Sequence, residues 1–117
     1  MRVLVCGGRT YGNQDYLDKI LNQIHATEKI TEIISGGARG ADTCAIVWAE
    51  KAKVKCSVYY ADWDKHGKAA GHIRNKEMLI RGNPDIIVAF PGGAGTRDMI
   101  SLAYKHKIPL INLYVDQ

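Results

Sequence analysis

The chain has 117 residues, the length of one ordinary domain, and its 46% hydrophobic and 24% charged residues exclude a largely disordered chain. Sixteen Lys and Arg stand against twelve Asp and Glu, a net charge of +4. Much of that excess has a structural explanation. Lys51, Lys53 and Lys55 follow one predicted helix and Lys105 and Lys107 another, where cations complement the helix dipole. No dense basic stripe with interleaved aromatics marks a nucleic-acid surface, so nucleic acid is not the expected partner.

Apolar runs such as Val3 to Cys6 and Ile86 to Phe90 are far too short to cross a bilayer. Neither a membrane span nor a secretory signal is expected. The three cysteines, Cys6, Cys44 and Cys56, are widely spaced in apolar segments and suggest neither a disulfide framework nor a zinc site. A cytoplasmic location follows as an expectation, with no metal and no cofactor required.

In chain order, residues 2–6 (RVLVC) form a short apolar run that suits a strand buried on both faces. Leu17, Ile20, Leu21 and Ile24 recur at helical spacing, with Asp15 expected to cap the first turn. Residues 31–34 form a second strand that ends at Ser35-Gly36-Gly37. Ala41, Cys44, Ala45, Trp48 and Ala52 mark one face of the helix that follows. Residues 54–60 alternate in polarity and predict an edge strand, after which 61–70 read as a loop. A helix over 71–81 carries Ile73, Met78 and Leu79 and stops near Gly82-Asn83-Pro84. Residues 85–90 are the most apolar strand and are expected at the sheet centre. A helix from Thr96 through Met99, Ile100 and Ala103 precedes a last strand, LINLYV, at 110–115. The order βαβαβαβαβ predicts a single α/β domain over 1–117, a Rossmann-like three-layer sandwich with a five-stranded parallel sheet.

Glycine falls just after three of these strands: Gly7 and Gly8, then Gly36, Gly37 and Gly40, then Gly92, Gly93 and Gly95. In a parallel α/β sheet these positions share the carboxyl rim, where helix N-termini present unpaired N–H groups to anions. A phosphate or nucleotide site is therefore expected there. Neither a Walker A sequence nor a strand-linked GxGxxG occurs, which argues against a P-loop triphosphatase and a standard dinucleotide fold.

GGRTY at 7–11, SGGARGAD at 35–42, ADW with HGKAAGHIRN at 61–75, and FPGGAGT at 90–96 together closely resemble the YspA-like branch of the SLOG superfamily. That superfamily includes relatives of the Lonely Guy phosphoribohydrolases and of the Smf/DprA DNA-processing proteins. The resemblance implies a nucleotide-binding domain, acting as a sensor or sequestering protein, with a homo-oligomer expected. It places the ligand among Gly7, Gly8, Arg9, Thr10 and Tyr11; Gly36, Gly37, Ala38 and Asp42; Asp62 and Trp63; Arg74 and Asn75; and Gly92, Gly93, Ala94, Gly95 and Thr96. Two alternatives stand beside it: a nucleoside-monophosphate N-glycosidase and a DNA-associated accessory protein.

The Lonely Guy motif PGGxGTxxE aligns with Pro91 to Thr96 but sets Met99 where the catalytic Glu belongs. Arg74 matches the partner arginine of those enzymes. Asp98, one residue early and about 100° around the helix, is the other catalytic candidate. Several side chains carry two readings. Arg9 clamps a phosphate or makes a surface ion pair. Thr96 cradles a phosphate, caps its helix, or does both. Asp42 accepts ribose hydroxyls or stabilises its helix N-terminus. Asn75 bonds the ligand or fixes its loop, and Trp63 stacks on a base or anchors the core. Arg39 belongs to a site loop, or bonds solvent or a neighbouring subunit. His66 and His72 serve as an acid or base, or as hydrogen-bond partners. Cys6 reads as a small core residue.

Overall fold

In a computed structural model, residues 1–113 are described. Five parallel strands form one sheet: β1 (Arg2–Cys6), β2 (Glu32–Ser35), β3 (Lys55–Val58), β4 (Ile86–Ala89) and β5 (Leu110–Asn112). Their spatial order is β3-β2-β1-β4-β5. Four main helices connect them: α1 (Gln14–Thr27), α2 (Ala41–Ala52), α4 (Ala70–Gly82) and α5 (Ala94–Lys105), with a single-turn α3 (Trp63–His66) between β3 and α4. This is the Rossmann-like α/β fold that the alternation of elements predicts.

The layers follow from the two-residue period of β1. Val3 and Val5 point to one face and pack with Leu17 and Leu21 of α1 and Ala45, Trp48 and Ala49 of α2. Leu4 and Cys6 point to the other, against Met78 and Leu79 of α4 and Met99, Leu102 and Ala103 of α5. Both faces of the middle strands are thus covered, the condition for continuous apolar runs in a parallel sheet.

Several details differ from the sequence-based expectation. The middle strand is β1, and β4 lies between it and the edge strand β5. An apolar run reports burial of both faces, which interior strands share whatever their order. The cap of α1 is Asn13, whose side chain accepts the Tyr16 N–H at 3.0 Å, while Asp15 sits inside the first turn. The loop at 61–70 contains α3, capped by Asp62, and a 3₁₀ turn at Gly67–Ala69. Helix α5 begins at Ala94, two residues before Thr96. The last strand ends at Asn112, and residues 114–115 of the expected run lie outside the described residues.

The chain order reverses between β1 and β4, which opens a crevice above their carboxyl ends. Three loops meet there at the Gly8 peptide. Its N–H donates to the Pro91 carbonyl at 2.8 Å, and its carbonyl accepts from Ala41 N–H at 3.1 Å and Tyr11 N–H at 3.2 Å. Gly40 makes the second of these contacts feasible. It holds φ +81°, and a Cβ there would stand 2.0 Å from the Gly8 oxygen. We therefore expect Gly40→Ala to cost at least ~3 kcal/mol of unfolding free energy, from left-handed strain plus a backbone clash. Gly12→Ala should stay within about 0.5 kcal/mol, because nothing lies within 4 Å of a Cβ at Gly12. Urea unfolding of the two variants measures the contrast.

Candidate functional site

A cleft of about 340 Å³ opens over the rim between β1 and α4. Of the residues singled out from sequence, Gly7, Gly8, Arg9, Ala38, Asp42, Trp63, Arg74, Asn75, Gly93, Ala94, Gly95 and Thr96 line it. Cys6, Gly71 and Met78 complete the walls. An adjoining cleft of about 750 Å³ collects Thr10, Tyr11 and Gly92, and it shares Gly8, Arg9 and Gly93 with the first.

The first turn of α5 forms one wall. Its cap residue is Gly93, no side chain caps the helix, and its leading N–H groups have no intrahelical acceptor. Thr96 is buried there, its hydroxyl beside Gly92. Such a helix start favours an anion. Two guanidinium groups face the same space. Arg74 is half-buried; its Nη1 donates to the Gly36 carbonyl at 2.7 Å and its Nε to Asn75 Oδ1 at 3.1 Å. Arg9 is exposed and stands 5.4 Å from the centroid of the Trp63 ring, a cation–π distance. The far end of that ring lies 3.5 Å from where a Cβ on Gly71 would sit. Trp63, 48% exposed, is therefore a flat apolar cover over the start of α4, and no core anchor.

Asp42 is the carboxylate on the cleft wall, only 6% exposed, and it accepts the Ala38 N–H at 3.2 Å. A Cβ on Gly36 would approach Arg74 Nη1 to 2.5 Å and Asp42 Oδ2 to 2.9 Å, so the bare α-carbon lets both charged groups reach the same loop. Burial pushes the Asp42 carboxyl up to about 6, against the opposing pull of the Ala38 hydrogen bond, Arg74 and Arg9. Burial, with Asp42 nearby, also lifts the Cys6 thiol far above its ordinary range, so Cys6 stays protonated and serves as core.

Other candidates lie off this cleft. Gly37 packs under Tyr60 and Val58, and Gly36 contributes its carbonyl to Arg74 from behind. Asp62 accepts the Lys65 N–H as the cap of α3. Asp98 does not line the cleft: one oxygen meets His72 Nδ1 at 2.7 Å and the other accepts from Asn75 Nδ2 at 3.0 Å. Asn75 also donates to the Gly95 carbonyl at 3.2 Å, so its amide ties α4 to α5 and leaves little for a ligand. Met99, in the position of the Lonely Guy glutamate, is fully buried in the core beneath α5. Among the described residues no three His, Cys, Asp or Glu side chains gather as a metal site, and no helix is long and apolar enough to cross a membrane.

The sequence reading missed the walls made by Gly71 and Met78, and Tyr16 and Asn13 in the adjoining cleft. Gly71 was legible as the glycine of AAGH, but its role depends on Trp63 folding back over it.

The raised Asp42 value has a defined sign. An ordinary carboxyl of 3.8 that reaches about 6 on folding keeps its proton longer in the native state. Stability from this group is full below pH ~4 and is lost as pH rises through ~6. Asp42→Asn is therefore expected to change little at pH 4 and to gain up to about 3 kcal/mol above pH 7. Thermal unfolding across that range reads the difference.

Comparisons with known proteins agree with this architecture. The chain is 39% identical over 119 residues to the Gene 61 protein of Mycobacterium phage D29, covering 95% of this chain and 94% of that protein. Among solved structures, DNA processing protein A (DprA) from Streptococcus pneumoniae superposes with a TM-score of 0.76 at 17% identity, covering 95% of this chain. The chain spans about half of DprA, 49% of its length. The structural-genomics target TM1055 superposes with a TM-score of 0.69 at 21% identity, covering 93% of this chain and 71% of that one. At these identities the two likenesses show the fold alone. The family model for the YspA, cpYpsA-related SLOG proteins matches residues 1–66, more than half of the sequence, and with the phage relative it establishes that the chain belongs to that family.

Proposed function

We propose that the protein binds a nucleotide or nucleotide-derived ligand at the carboxyl rim of the sheet and acts as a sensor or sequestering protein. One observation carries the reading: the uncapped start of α5, Arg9, Arg74 and the Trp63 ring face one cleft. The phosphate sits against the N–H groups of Gly93 to Thr96, where both guanidiniums neutralise it. Trp63 offers its face to a base, and Asp42 accepts from ribose hydroxyls. Capture is favoured over turnover because Met99, buried, fills the position of the Lonely Guy glutamate. In this reading the protein is a cytoplasmic homo-oligomer, whose partner subunit would cover an edge strand of the sheet, β3 or β5.

Calorimetry against AMP, GMP, CMP, UMP and cyclic nucleotides tests it. At least one should bind with a micromolar Kd, and the exposed Arg9→Ala should weaken that binding about tenfold or more, as loss of a charge-assisted contact does. Binding no tighter than millimolar across the panel overturns the reading.

A second reading, hydrolysis of the N-glycosidic bond, draws on Asp42. Asp98 and Asp62 lie off the cleft, whereas Asp42 is a buried carboxyl on its wall that keeps a proton up to about pH 6. Free base released from a nucleoside monophosphate in excess over protein, and abolished in Asp42→Asn, would establish it. Absence of release ends it. The likeness to DprA, named for DNA processing, does not fit the expectation against nucleic acid, and a DNA-associated role stands as a third possibility. A mobility shift that weakens as salt rises is its signature.

A further inference from the structure

The cleft around Arg74 and the adjoining one meet over a saddle made by Gly8, Arg9 and Gly93. We propose that the two clefts hold the two ends of one ligand, a nucleotide whose two ring-bearing halves are joined by a diphosphate lying across that saddle. This deepens the nucleotide reading and rests on it.

Glycine carries much of the argument. Most glycines in this chain are demanded by the fold, through a positive φ or a neighbour that a Cβ would strike. Gly12, Gly93 and Gly95 have neither: nothing lies within 4 Å of an added Cβ, and none has a positive φ. All three line the clefts, Gly12 the larger, Gly95 the smaller and Gly93 both. A side chain at Gly93 or Gly95 would meet only open space beside the saddle, and one at Gly12 only open space at the lining of the far cleft.

The larger cleft is built to receive a ring. Tyr11 packs at 5.3 Å and a 47° tilt on Phe90, and Tyr16 meets the same ring edge-on at 6.2 Å, so the aromatic wall is fixed before anything binds. The Tyr11 hydroxyl donates to the Asn13 carbonyl at 3.0 Å, which holds the ring in place. Each end of the saddle thus offers an aromatic surface, Trp63 on one side and Tyr11 with Tyr16 on the other. Between them stand Arg9 and the uncapped start of α5, the positive features suited to bridging phosphates. The volumes, about 340 and 750 Å³, each fall within the ~300–1,000 Å³ range of small-molecule sites. A mononucleotide fills one cleft and leaves the other open.

Calorimetry with AMP, ADP, ADP-ribose and NAD on the wild-type chain and on Gly12→Leu decides the matter. ADP-ribose or NAD should bind at least tenfold more tightly than both AMP and ADP. Gly12→Leu, which adds bulk to the lining of the far cleft and alters no residue of the near one, should erase that advantage and leave AMP within about twofold of wild type. ADP binding as tightly as ADP-ribose would assign the gain to the second phosphate alone and overturn the proposal. So would an advantage that survives in Gly12→Leu, or loss of AMP binding in that variant. If AMP binds and the two-ended compounds bind no better, the bipartite site fails while the nucleotide reading stands. If none of the four binds, and the mononucleotide panel is equally silent, both fall.

Discussion

The site depends on one peptide unit. Gly8 donates to the loop after β4 and accepts from the loops that start α1 and α2, so three carboxyl-end segments share one short set of backbone hydrogen bonds. Backbone bonds of this kind are shorter in reach than side-chain contacts, and they require bare α-carbons where the chains cross. Gly40 and Gly92 supply these, and Gly7 lets Ala41 and Phe90 close beneath. The start of α5 and the backbone at Arg9 are held in place by this junction more than by local propensity.

Charge is arranged around the same point with unequal burial. Asp42 and Arg74 are drawn into the rim beside Gly36, while Arg9 stays in solvent. The surrounding protein does not fully compensate the Asp42 charge, which is why burial outweighs its favourable partners. An arrangement of that kind is a common mark of a functional site, because a fold selected for stability alone gains nothing from it. Arg74 is further tied through Asn75 to Gly95 and Asp98, so α4 and α5 position it jointly.

Much of the fold was legible. The runs at 2–6 and 85–90 and the apolar stripes of α1, α2 and α4 were readable because burial imposes periodicity on composition. The alternation of Val54, Cys56 and Val58 correctly marked β3 as an edge strand. What stayed hidden were outcomes of distance. Nothing in the order of residues says that Trp63 lies under Arg9, since α3 is one polar turn with no stripe to read. The glycine motifs located the rim, yet Gly36 and Gly37 turned out to serve packing behind it. For Asp98 the helical phase was legible, about 100° from the glutamate position, but its partner His72 on α4 was not.

The two tryptophans occupy opposite environments. Trp48 is 2% exposed, its indole N–H donating to Asn22 Oδ1 at 2.9 Å inside the α1–α2 layer, whereas Trp63 stands half in water beneath a guanidinium. Emission from the buried indole reports the integrity of the core, and emission from the exposed one reports what happens at the rim. The molecule therefore carries two intrinsic fluorophores whose signals separate by wavelength and by quencher access, one for folding and one for occupancy.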